Sequence, residues 1–228
     1  MWNITTCQPV RSYTSKSLRQ AVITCVAQSP RHIIAGTSDA SVVLFTKEDV
    51  CERVDIHQCN TPGASKLGCL QVTLRLSEAG SMRTQSGDMP IVKAVLCTGL
   101  HGGFSHIWAA DSVGQISVWK NTKKGLDFKA LLYWRAHNTC INDMVATAKH
   151  IITISDDGYC IIHDIVRFVS VRCIHMVTWC LEKELVDKPQ IPRRLKCMHI
   201  DEDNENGGLM LIGTSYGEVM ISAIGTTI

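Results

Sequence analysis

The chain has 228 residues, 45% hydrophobic and 19% charged, the balance of a folded globular protein rather than a disordered one. A formal net charge of +2, with basic and aromatic residues not interleaved, argues against nucleic-acid binding. The 11 cysteines are odd in number, scattered and never spaced Cys-x-x-Cys, so they read as unpaired thiols of a reducing compartment.

The opening MWNITTCQPVRSY has no basic segment followed by an apolar core, so no secretory signal is expected. No apolar run approaches the roughly 18 residues that would span a bilayer. A soluble cytoplasmic protein is the expectation. Along the chain, strand-like runs come in quick succession. WNITTC at 2–7 is the first and AVITCVA at 21–27 the second, followed by HIIAGTSDASVVLFT at 32–46. VCERVDI at 50–56 and LQVTLRL at 70–76 also read as strands, and SEAGSMRTQSGDMP at 77–90 as a Gly- and Ser-rich loop. IVKAVLC at 91–97, HIWAADSVGQISVWK at 106–120 and FKALLYW at 128–134 repeat the pattern. So do CINDMVA at 140–146, HIITISDDGYCIIHD at 150–164 and FVSVRCIHM at 168–176. An amphipathic insertion at 179–194 precedes LKCMHI at 195–200, an acidic loop DEDNENGG at 201–208 and LMLIGTSYGEVMISA at 209–223.

The segments at 32–46, 106–120, 150–164 and 209–223 are in register. Each has an apolar run, small polar residues, a two-residue turn (Asp39-Ala40, Val113-Gly114, Asp157-Gly158, Tyr216-Gly217) and a second alternating run. Glycine in three of the four turns suits the positive φ of a tight hairpin. The flanking runs make four short strands per unit, a meander that cannot bury both its faces unless the units stack radially. The predicted fold is all-β, a propeller or partial propeller of about four four-stranded blades, placed by spacing at roughly 17–57, 67–134, 135–176 and 195–224 of a single domain.

RAHNTCINDMVATAKHIITISDDGYCIIHD at 135–164 resembles the WD-repeat consensus. Ala136-His137 stands where the family has Gly-His, Asp157-Gly158 at its turn and His163-Asp164 at its Trp-Asp; Val118-Trp119-Lys120 keeps the Trp of the second unit. The resemblance implies a structural hydrogen-bond network formed by His137, Ser155, Asp157 and His163, with His163 in the Trp position. It also implies that an N-terminal strand over 2–7 closes the last blade or belongs to a blade supplied elsewhere. The separation of the second and third turns falls within the roughly 40–45 residues of such a blade.

The functional expectation is a non-enzymatic interaction scaffold for protein partners, serving signalling, trafficking, cytoskeletal or ciliary assemblies, with no cofactor. Its basic face would gather Lys16, Arg19, Trp134, Arg135, Arg193, Arg194 and Tyr216 and meet an acidic partner, Trp134 being the candidate hot spot. The alternative is a metal-binding or hydrolytic β protein. Cys173-x-His175 and Cys197-x-His199 have the i, i+2 spacing that puts two soft ligands on one strand face, but the pleat alone produces that spacing. No Gly-x-Ser-x-Gly elbow, phosphate loop or His-Glu-x-x-His helix motif occurs.

Overall fold

The computed structural model describes residues 2–3, 8–9, 21–29, 32–46, 71–79, 87–99, 105–122, 127–176, 194–201 and 208–224. These residues form antiparallel sheets arranged as a four-bladed β-propeller. Strands β1 (Trp2–Asn3) and β2 (Gln8–Pro9) pair in a two-stranded sheet of their own. Blade 1 is β3 (Ile23–Gln28), β4 (His32–Thr37), β5 (Ser41–Thr46) and β6 (Gln71–Arg75), the last leading into a 3-10 turn at Leu76–Ala79. Blade 2 is β7 (Val92–Thr98), β8 (His106–Asp111), β9 (Gln115–Asn121) and β10 (Phe128–Arg135). Blade 3 is β11 (Ile141–Ala146), β12 (His150–Ser155), β13 (Tyr159–Asp164) and β14 (Ser170–His175). Blade 4 has three described strands, β15 (Leu195–Asp201), β16 (Gly208–Thr214) and β17 (Val219–Ile224).

Each blade is a plain meander: within it, strands consecutive in sequence are neighbours and pair antiparallel. The residue at the second turn position has positive φ in all four blades: Ala40, Gly114, Gly158 and Gly217. Gly114 is doubly constrained. Its φ is +87°, and a methyl group there would run into the carbonyl oxygens of His137 and Thr139.

The innermost strands β3, β7, β11 and β15 carry a register shift at the same place, after Ile23, Val92, Ile141 and Leu195. The extra residue leaves the ladder free to reach sideways. Thr24 Oγ1 donates to the Val92 carbonyl, joining blades 1 and 2, and Asn142 Nδ2 donates to the Leu195 carbonyl at 2.7 Å, joining blades 3 and 4. Between the blades lie three apolar clusters. One packs Val42, Leu44 and Ile34 against Val92 and Val95, a second packs Ile116, Val118 and Trp108 against Ile141 and Met144, and a third packs Cys160, Ile162 and Ile154 against Leu195 and Met198. Burial of apolar area between blades therefore holds the ring, as expected where one blade leaves a face bare.

Two expectations are corrected. The strand order assigns Gln71–Arg75 to blade 1, beside β5, where spacing places it at the start of the second blade. Distance along the chain misleads here because a long connection, 47–70, separates β5 from its outer neighbour. The strand expected over 2–7 does not extend the last blade: Trp2–Asn3 pairs locally with Gln8–Pro9, and residues 4–7 lie outside the described residues. The strand expected at 50–56, most of the insertion at 179–194 and the acidic loop 202–207 also lie outside them.

Candidate functional site

Blade 3 contains a chain of side-chain hydrogen bonds running from the hairpin turn to the outer strand. His137 follows β10 and is pinned by its backbone N–H to the Gly114 carbonyl of blade 2. Its Nδ1 lies 3.2 Å from both carboxylate oxygens of Asp157, and its Nε2 lies 2.9 Å from Thr153 Oγ1. Thr153 Oγ1 is in turn 3.1 Å from His163 Nε2, and His163 Nδ1 is 3.1 Å from Ser170 Oγ. With both imidazoles neutral and Asp157 ionised, one assignment gives every contact a single donor. Ser170 donates to His163, His163 to Thr153, Thr153 to His137, and His137 to Asp157.

Burial sets the electrostatics. His137, Thr153 and His163 are buried. Removal from water, reinforced by the nearby His137, pushes the His163 imidazole down to about 4. Burial acts to raise the Asp157 carboxyl, but the hydrogen bond from His137, with the backbone N–H groups of Tyr159 and Asn138, outweighs it and holds the group below its ordinary value. Every ring nitrogen has a partner, and the Thr153 hydroxyl and both imidazoles are buried, while Ser170 on the outer strand is exposed. Such an arrangement braces a blade, tying its turn to its outer strand.

Of the four network residues read from sequence, three join it. Ser155 does not; Thr153 takes its place. Ser155 Oγ is 2.9 Å from Thr139 Oγ1 and accepts the Asp157 backbone N–H at 3.3 Å, so it caps the turn. The same job falls to Thr37, Asp111 and Thr214 in the other blades, which accept from the N–H groups of Ser41, Gln115 and Tyr216. Thr153 and Ser155 share a strand face because side chains repeat every second residue, so the sequence leaves a two-residue ambiguity. Ser170, which the sequence reading does not include, stands in register opposite His163.

Of the expected basic face, Lys16, Arg19 and Arg193 lie outside the described residues. Trp134 is not a free aromatic. It packs edge-on against Trp108 at 6.0 Å and His163 at 5.7 Å, in the seam between blades 2 and 3. The alternation of Leu132 and Trp134 on the inner side of β10 is the signal for that. Arg135 is exposed, but its Nη2 and Nε donate to the carbonyls of Asn138 (2.9 Å) and His137 (3.2 Å), clamping the loop. Arg194 and Tyr216 are exposed neighbours, the Arg194 carbonyl accepting from the Ser215 N–H next to Tyr216. The same end carries Asp39 and Asp156, and Asp156 pairs with Lys196 at 2.6 Å. Its described surface is thus mixed in charge rather than basic.

A cavity of about 300 Å³ lies between the inner strands of blades 1, 2 and 3, lined by Cys25–Ala27, Lys93–Leu96 and Asp143–Ala146. Asp143 there accepts the backbone N–H groups of Met144 at 2.8 Å and of Met198, across the blade boundary, at 2.7 Å. Among the described residues no group of three or more His, Cys, Asp or Glu is placed to hold a metal. His175 of the Cys173-x-His175 pair stacks on Tyr159 at 4.5 Å. The Cys160 thiol is pushed up to about 12 by burial, with a smaller effect from Cys173.

No family model and no curated protein matches the sequence. Among solved structures, the chain resembles the crystal structure of the computationally designed Ika4 protein. The TM-score is 0.52 at 15% identity, over 91% of this chain and 94% of that one. The likeness is one of fold. It extends over nearly all of both chains, so the blades form one architecture. No helix among the described residues is long and apolar enough to cross a membrane.

Proposed function

We propose that the chain is a non-enzymatic interaction scaffold of the WD-repeat kind, acting in the cytoplasm as part of a larger assembly and presenting its loops to a protein partner. The observation that carries this reading is the state of its one catalytic-looking cluster. Asp157, His137, Thr153 and His163 have their polar atoms hydrogen-bonded to one another within the blade, which supports a bracing role. Surface and chemistry are then separate: the blades supply rigidity and the loops at the hairpin-turn end supply recognition. Arg194 and Tyr216, adjacent and exposed at that end, are the pair on which a partner would rest.

The test is quantitative affinity purification from the native source with the parent chain and with Arg194→Glu/Tyr216→Ala. Partners recovered with the parent should fall by tenfold or more with the variant, at unchanged circular dichroism. Equal recovery from both removes the face, and recovery of no stoichiometric protein removes the scaffold reading.

A further inference from the structure

The blades repeat in register, so the same position can be compared four times. Along the inner strands, Ile23, Val92, Ile141 and Leu195 are equivalent, and so are Val26, Val95, Met144 and Met198. In blades 2, 3 and 4 these residues are buried under the preceding blade; in blade 1, Ile23 is 49% and Val26 62% exposed. The opposite face tells the same story at the other end. Val42, Ile116 and Cys160, with Leu44, Val118 and Ile162, are buried under the following blade. Their equivalents in blade 4, Val219 and Ile221, are 67% and 68% exposed. Packing runs from β3 to β7, β7 to β11 and β11 to β15, while β15 and β3 do not pack on each other in that way. Among the described residues the ring is open at one seam, and its two lips are the two halves of the contact made three times inside the chain.

We propose that the occupant of this seam is a second copy of the chain, each copy's blade 4 packing on the other's blade 1 to close a twofold ring of eight blades. The interface repeats an established one. Val219 and Ile221 would cover the partner's Ile23 and Val26 as Val42 and Leu44 cover Val92 and Val95 within the chain. Head-to-tail contacts give a closed ring when the rotation completes a circle, and eight blades lie within the range of known propellers. Closing both seams removes from water the apolar faces that a single copy leaves bare.

The experiment is sedimentation equilibrium of the full chain at micromolar concentration. The expected mass is twice the 25.2 kDa of one copy. Val26→Glu and Ile221→Glu, each on one lip, should separately give single copies with near-ultraviolet circular dichroism unchanged, since both side chains are exposed. Mixed in equal amounts, they should recover the doubled mass, because one of the two seams then carries no substitution, while both glutamates fall in the other. A parent chain that sediments as one copy, a doubled mass that survives either substitution, or a seam filled only by a different protein added from extract would each overturn the proposal.

Discussion

Thr153 has a hydroxyl on which two buried imidazoles depend, accepting from one and donating to the other. Removing it with a side chain of equal shape leaves two ring nitrogens without partners in a dry seam. Thr153→Val should therefore cost about 2–4 kcal/mol of unfolding free energy, against about 1 kcal/mol for Ser155→Ala, which frees only turn contacts. Urea denaturation of both variants checks the order; a larger loss at Ser155 would restore the assignment that the sequence suggests. His163 makes the same blade sensitive to acid. Its imidazole falls from an ordinary 6.5 to about 4 on folding, so the fold favours the neutral form. That contribution is complete above the unfolded value and is lost as pH falls from about 6.5 towards 4. At most it amounts to roughly 3 kcal/mol by the shift-to-energy conversion. Asp157 acts in the same direction in a lower window, below the ordinary carboxylate range, since its proton too is held off by the fold. Thermal unfolding of His163→Phe, which borrows the Phe45 of blade 1, should lose most of the slope between pH 6.5 and 4. A slope equal to that of the parent would place the titrating group elsewhere.

At the scale of the hairpin, the sequence is informative because the physics is local. Alternating apolar residues and a turn residue able to adopt positive φ locate β4–β5, β8–β9, β12–β13 and β16–β17 without reference to anything distant. Ala40 at φ 62° shows that the turn geometry is imposed even where glycine is missing. What local pattern does not reveal is which hairpin an outer strand joins. The placement of β6 depends on a long connection, and Trp134 reads as a surface residue in sequence because its neighbour Arg135 is one. Local backbone demands and packing separate at two of the turns. Gly114 has positive φ and no room for a methyl, whereas Gly217 has positive φ and open space around it. Gly217→Ala should cost about 1–2 kcal/mol, the conformational penalty alone. Gly114→Ala should cost more by a further 1–2 kcal/mol or so, because the His137–Thr139 loop must move. Chemical denaturation of the pair decides it; equal losses would mean that this loop yields freely.

For the whole molecule, stability is set by how blades are coupled in a row, and the coupling is not readable from composition. Ile23 and Val26 look in sequence like Val92 and Val95; only the arrangement of the ring decides that one pair is covered and the other bare. Repeats joined mainly to their neighbours behave as a linear array, in which the unit with the fewest contacts opens first. Blade 4 is an end unit of that array, one face packed on blade 3 and Val219 and Ile221 exposed on the other. Its attachment to blade 3 includes three polar ties: Asn142 to the Leu195 carbonyl, Lys196 to Asp156, and the Met198 N–H to Asp143. Asp143 is the most consequential of them, since its carboxylate satisfies two backbone N–H groups on two blades. Asp143→Ala leaves both donors unpaired at the boundary, a loss of about 2 kcal/mol and hence about thirtyfold in the local opening equilibrium. Amide hydrogen exchange should then quicken by that factor in residues 195–201 and 208–224, with blades 1 and 2 unchanged. An equal rise in all four blades would mean that the propeller opens as one cooperative unit, and that the coupling across its closed seams is stronger than the stability of any single blade.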